Sequence, residues 1–306
     1  MSAGHAHGHG VTATGRHRGR LTAVMAISTA IAVLEIAGAL ISGSLVLFAD
    51  AAHMAADAAG VGLSLLAAYF ATRPATERRT FGYARAEILA ATANALLLLG
   101  MATFILVEAA RRIAAPPAVG SGLMVIFGFV ALAGNSASMI LLRRAQSESM
   151  NTRGAFLEVA SDTLGAVAVI LTGVIVATTG FTLADPIASL VVGTLILPRT
   201  WRLLRDALDV LLEASPREVD LAEVRRHMTE LDGVSDVHDL HAWTITSGLP
   251  ILSAHVVVDP GVLVGGRSAV MLDALQECLR GHFDVAHSTF QLEPTGHADH
   301  EPNVCL

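Results

Sequence analysis

Lysine is absent from this 306-residue chain, so all twenty of its strongly basic side chains are arginine. Charge is scarce altogether, at 15% of residues, and aromatics are scarcer still at 5%. Only two cysteines occur, Cys278 and Cys305, which excludes a disulfide framework. The net charge of −7 gives no basic footprint, which excludes nucleic acid as a partner. What fills the chain is apolar: 53% of residues are hydrophobic and the mean hydropathy is +0.58. That balance is foreign to an ordinary soluble domain and points to a polytopic membrane protein carrying some soluble mass. The opening "MSAGHAHGHG" and "GRHRGR" lead straight into a span-length apolar run with no clear cleavage site. The first hydrophobic segment is therefore expected to be retained.

Six apolar segments are long enough to cross roughly 30 Å of hydrocarbon. They are expected near 21–42, 46–71, 86–110, 119–142, 155–179 and 184–204. Arginines cluster before the first span (Arg16, Arg18, Arg20), between the second and third (Arg73, Arg78, Arg79, Arg85), between the fourth and fifth (Arg143, Arg144, Arg153) and at the end of the sixth (Arg199, Arg202, Arg205). The positive-inside rule then places both termini in the cytoplasm, and the chain is expected in the inner (plasma) membrane. Arg111 and Arg112 fall on the outer side and dissent; snorkelling to the interface is the expected accommodation. Beyond residue 205 the texture becomes soluble. "SPREVDLAEVRRHMTELDGV" reads as a helix capped by Ser215 with Pro216 in its first turn. "VSDVHDLHAWTIT" and "ILSAHVVVD" read as strands, "GRSAVMLDALQECLRGHF" as a helix and "AHSTFQLEP" as a last strand. The order αββαβ predicts a small α+β domain. The expected division is a His-rich tail at 1–20, a transmembrane domain at 21–207, the α+β domain at 208–294 and a flexible tail at 295–306.

Two stretches echo one another: His53, Asp57, Gly60 in "HMAADAAG" and Glu158, Asp162, Gly165 in "EVASDTLG". An ionised side chain at the bilayer centre costs roughly 2.5–3.5 kcal/mol on the insertion scale, so such residues call for a function. Residues i and i+4 share a helix face about 6 Å apart. His53 and Asp57 thus offer two ligands from one span, and Glu158 and Asp162 two from another. Together they make a four-ligand N/O cage suited to a tetrahedral divalent cation such as zinc, with cobalt and others admissible. Asp50, one turn before His53, is expected to support the cage. The glycines let the helices approach closely. The plain structural alternative is that these polar groups bond helix to helix, which would not require matched pairs in two spans. Glu87 and Glu108 are expected to pair with Arg85 and with Arg111 and Arg112; Glu35 has no role assigned.

With "LFADAAHMAADAAG", "TFGYARAEILAA", "NTRGAFLEVASDTLGAVAVI", "LADPIASLVVG" and "VHDLHAWTITSG" in this order, the chain resembles the cation diffusion facilitator family over nearly its whole length. The resemblance implies a homodimer with six transmembrane helices and a cytosolic ferredoxin-like domain in each protomer. It implies export of divalent metal in exchange for protons by alternating access. It also implies a transport site on the second and fifth spans, matching His53, Asp57 and Asp162, with Glu158 where a His is commoner. Three carboxylates and one imidazole make a harder, more anionic site, which broadens the range of ions. Metal and proton would compete for the same atoms. No cofactor is implied; the metal is cargo and a candidate regulator. The second–third link carries no His, so no metal site is expected there. A salt bridge between Arg85 and Glu213 is implied.

Eight of the thirteen histidines lie beyond residue 226. By resemblance, His238, His255 and Glu293 sit where some relatives bind regulatory metal, with His241, His287 and Cys305 as secondary candidates. His5, His7 and His9 form a weak metal-collecting tract. Two other functions use the same residues. An intramembrane metalloenzyme would need a motif such as HExxH or GxSxG, and neither occurs. A membrane-anchored metal sensor would not need matched ligand pairs in two spans.

Overall fold

The structure is a computed structural model and describes residues 18–143, 150–283, 285 and 287–297. Six long helices come first: α1 Arg18–Ser42, α2 Leu45–Ala71, α3 Ala86–Ala114, α4 Ser121–Leu142, α5 Met150–Thr179 and α6 Ala184–Leu211. All six are long and apolar enough to cross a membrane. The helices α3 and α6 run on beyond the expected span ends, because Arg111 and Arg112 in the one and Arg205, Ala207 and Leu208 in the other are good helix formers. The described residues fall into two compact units: one holds residues up to Leu63 together with Ala93–Arg202, the other Ser64–Thr92 together with residues from Leu203 onward.

In the first unit, thin layers of small and branched residues join the helices. Ile31 and Ala32 of α1, Met54 of α2, Ala131 of α4 and Ala166 of α5 make one layer. Ala39, Val46, Leu47, Met124 and Val169 make another. Large apolar side chains such as Leu40, Ile140, Leu164 and Leu195 are more than 70% exposed, as lipid-facing residues should be.

The second unit holds α7 (Leu221–Thr229), β1 (Val234–Thr244), β2 (Pro250–Val258), α8 (Arg267–Phe283) and β3 (His287–Pro294). The sheet order is β1-β2-β3, with β1 antiparallel and β3 parallel to β2. This is the expected αββαβ order. One boundary differs: the helix starts at Leu221, not after Ser215. Asp220 caps it, its carboxylate accepting from the backbone N–H groups of Ala222 and Glu223. Residues 217–218 form a turn instead. A carboxylate at the cap followed by Glu223 satisfies more orphan donors than Ser215 could.

The strand β1 carries a bulge between His238 and His241, with Asp239 at φ 45. The extra residue resets the alternation. Val237, Leu240 and Ala242 all reach the core with Leu252, Ala254, Val256, Met228, Leu275 and Leu279. His238 is left on the other face, directly opposite His255.

Candidate metal centres

The helical repeat of α2 puts His53 and Asp57 one turn apart, with His53 Nε2 and Asp57 Oδ2 at 3.4 Å. Glu158 of α5 joins them: one ligand atom from each of His53, Asp57 and Glu158 lies within 4.8 Å of the others. Ligand atoms about 2.0–2.2 Å from a tetrahedral zinc stand about 3.4 Å apart, an edge that the α2 pair already has. His53 Nδ1 and Asp57 Oδ2 are buried without a hydrogen-bond partner. Buried polar atoms of this kind each cost about 1–3 kcal/mol unless something satisfies them, and a cation on Asp57 would do so.

Asp162, one turn along α5 from Glu158, is buried, and its Oδ1 also lacks a partner. It lies outside the 4.8 Å set. Asp50 is buried against α5: a Cβ added to Gly165 would stand 2.2 Å from Asp50 Oδ1. A Cβ on Gly60 would meet Asn94 of α3 at 2.6 Å. The two echoed glycines therefore serve different contacts, one between α2 and α5 and one between α2 and α3. Glu35 of α1 is 1% exposed, and neither carboxylate oxygen has a hydrogen-bond partner.

Two residues of this unit carry roles that sequence reasoning did not assign. Arg199 of α6 lies with Nη2 3.0 Å from Glu158 Oε2 and Nη1 3.5 Å from Oε1. Asp185 at the start of α6 is fully buried and accepts from the Ser44 hydroxyl at 2.6 Å, the Leu45 N–H at 2.9 Å and the Val46 N–H at 3.3 Å. It caps α2 from another helix. The one signal in the sequence was an Asp directly before a Pro at the head of an apolar run.

In the second unit, His238, His255 and Glu293 form a set with ligand atoms within 4.8 Å of one another. His255 Nδ1 is 2.7 Å and His238 Nε2 3.5 Å from the Glu293 carboxylate. The Gln291 amide donates to Glu293 Oε1 at 2.8 Å and orients it. Register explains the convergence: His238 faces His255, and Glu293 is paired with Val257 on the neighbouring strand, two residues on. His241 and His287 are exposed and stand outside this set. His5, His7, His9 and Cys305 lie outside the described residues.

Arg85 Nη2 meets Glu213 Oε1 at 2.8 Å. Glu87 does not pair with Arg85. It accepts instead from the hydroxyls of Thr246 and Ser247 at 2.6 and 3.0 Å, two short donors that fit a carboxylate better than the neighbouring arginine already committed to Glu213. Glu108 pairs with Arg112 at 3.0 Å and with Arg111 at 4.0 Å.

Comparison with known proteins agrees along the chain. Residues 21–212 match the family described as cation efflux transmembrane domain, and residues 216–295 match the cation efflux protein cytoplasmic domain. The metal cation efflux system protein CzcD of Cupriavidus metallidurans is 42% identical over 98% of this chain and 93% of its own length. The zinc transporter ZitB of Escherichia coli is 38% identical over 90% of this chain and 87% of its own. The cadmium, cobalt and zinc/H(+)-K(+) antiporter of Bacillus velezensis is 33% identical over 99% of this chain and 96% of its own. A solved structure of the metal-bound C-terminal domain of CzcD covers 24% of this chain and 99% of its own at 43% identity, with a TM-score of 0.22. With both parts matched and relatives of this identity running nearly end to end, the chain belongs to the cation efflux, or cation diffusion facilitator, family of metal transporters.

Proposed function

We propose that this protein exports divalent metal cations from the cytosol in exchange for protons, by alternating access and as a homodimer in the inner membrane. Zinc is the foremost cargo, with cobalt and cadmium accepted. The observation that carries the reading is the meeting of His53, Asp57 and Glu158 from two membrane helices within 4.8 Å. Asp162, one turn along α5 from Glu158 and with an unpartnered buried oxygen, is the fourth ligand of the cage. The relatives named for zinc, cadmium and cobalt support the cargo class. Three carboxylates and an imidazole take protons as well as metal, so one set of atoms serves both directions of the exchange. Cytosolic protons then compete with loading, and zinc uptake into the site falls as cytosolic pH drops. His238, His255 and Glu293 form a second metal centre, which regulates the soluble unit by adding binding free energy to one state of it.

The test is metal flux into proteoliposomes under an imposed pH gradient, for zinc, cadmium, cobalt, nickel and manganese. Gradient-dependent zinc flux should be lost in Asp162→Ala. Glu158→His should narrow the range of ions toward zinc, since it replaces a hard oxygen ligand by imidazole. Absence of flux for every ion, with metal still bound at the soluble centre, would overturn the export reading in favour of a metal sensor.

A further inference from the structure

Among the described residues, Glu158 is the carboxylate of the cage seen in direct contact with a protein cation; the same cation acts on Asp57 and Asp162 only at longer range. The guanidinium of Arg199 spans both of its oxygens, Nη2 at 3.0 Å from Oε2 and Nη1 at 3.5 Å from Oε1. The two helices bring them together across 41 positions of sequence. Arginine stays charged at every working pH, so this cation cannot leave by losing a proton. It can leave only by moving. Its side chain is 68% exposed, against 31% for Glu158, so it has room to swing away while the carboxylate stays.

A divalent cation drawn to His53 and Asp57 needs an oxygen of the same carboxylate. With both oxygens held in the guanidinium fork, metal and Arg199 contend for one ligand, and two cations at such range repel. We propose that Arg199 is a tethered counter-cation of the transport site. It holds Glu158 before cargo arrives, yields it on loading and reclaims it on release. Each loading is then an exchange of guanidinium for metal at Glu158. The charge logic fits: Glu158 and Arg199 together add no net charge to His53 and Asp57, so the cage presents its third carboxylate charge only when the arginine has withdrawn. Arg199 thereby weakens ground-state binding of cargo and speeds its departure. It acts through Glu158 and touches no metal itself, which makes it a positioning residue that sets affinity and turnover.

This inference rests on the export reading, and its test is arranged to separate the two. Full-length Arg199→Gln and Arg199→Lys are compared with the unaltered protein, each also in a Glu158→His background. Zinc binding is measured by calorimetry in detergent and zinc flux in proteoliposomes. Arg199→Gln should tighten zinc binding about five-fold, the worth of a partly exposed ion pair, and lower both KM and kcat. Arg199→Lys should fall between, because a point charge lacks the fork. In the Glu158→His background the Arg199→Gln effect should shrink to the part that charge repulsion alone contributes, since imidazole offers the guanidinium no carboxylate while Asp57 and Asp162 still feel its charge. Unchanged or weaker zinc binding in Arg199→Gln, or the same change in both backgrounds, would overturn the proposal. Should Arg199→Gln not fold, Arg199→Lys decides by the same comparison. Failure of the unaltered protein to move zinc would overturn the export reading alone, with the calorimetry still deciding the role of Arg199.

Discussion

Buried carboxylates in the membrane helices divide by the donors around them. Asp185 is saturated: a hydroxyl and two backbone N–H groups donate to it, and Arg112 stands 3.9 Å away. Asp162, Asp50 and Glu35 are buried with oxygens that no backbone or hydroxyl donor satisfies, and Glu35 and Asp50 lie against one another. The first kind is architecture, holding the start of α2 where its peptide N–H groups have no helical partner. No comparable set of donors surrounds the second kind. The distinction is testable. Asp185→Ala strips Ser44, Leu45 and Val46 of their acceptor and should cost about 2–4 kcal/mol, lowering the thermal midpoint of the detergent-solubilised protein steeply. Asp162→Ala should leave that midpoint close to the original or above it, because it removes an unsatisfied group, while abolishing flux. Loss of stability from Asp162→Ala with none from Asp185→Ala would reverse both assignments.

At the scale of elements, caps and bulges decide where side chains point. Asp220 caps α7 through two N–H groups, whereas Ser215, five residues earlier, precedes a turn. Asp220→Ala should therefore cost about 1 kcal/mol, about 4–8 °C in the midpoint of a unit this small, while Ser215→Ala should move it little. Thermal unfolding of the full chain, followed by Trp243 in a Trp201→Phe background, measures both. The case also shows what could be read without coordinates. Spans and strands were legible because period and length are properties of the sequence itself: a run of 22–30 residues must cross, and alternation must make a half-buried strand. "SPRE" imitates a capped helix start as well as "DLAE" does, and only the count of donors within reach separates them. The pairing of Glu158 with Arg199 and the bulge at Asp239 had no local signature, because one joins residues 41 apart and the other depends on register with β2. The i, i+4 rule brought the His53–Asp57 pair together on α2 directly, but which carboxylate of α5 meets that pair depends on how α5 packs against α2, which no spacing encodes.

For the whole molecule the open vector is orientation, and the arginines govern it. Clusters beside the first span, between the second and third, between the fourth and fifth and at the end of the sixth all favour one side. Against them stand Arg111 and Arg112 at the end of α3. The structure answers that objection for Arg112, while Arg111 stays exposed. Arg112 donates to the Gly43 carbonyl at 2.6 Å and to Glu108 at 3.0 Å, with Asp185 close by. Its charge is spent where α1 and α3 end and α6 begins, closing the carbonyl end of α1 and countering Asp185. An arginine held in that way exerts little pull on the membrane potential and lipid headgroups that set topology. Both termini and the soluble unit should therefore face the cytoplasm, which is also the side from which an exporter must load. Single cysteines at Ala115, beside the disputed arginines, and at Glu77, in the α2–α3 link, are both exposed and report on opposite sides. A Cys278→Ser, Cys305→Ser background clears the native thiols; Cys278 would confuse the readout, since burial foremost and Glu230 next push its thiol up and slow its alkylation at neutral pH. In intact cells a membrane-impermeant maleimide should label Ala115→Cys and spare Glu77→Cys, which becomes reactive once the membrane is opened. The reverse pattern would show that Arg111 and Arg112 carry the topology after all. It would put the soluble unit outside and require the transport direction to be redrawn.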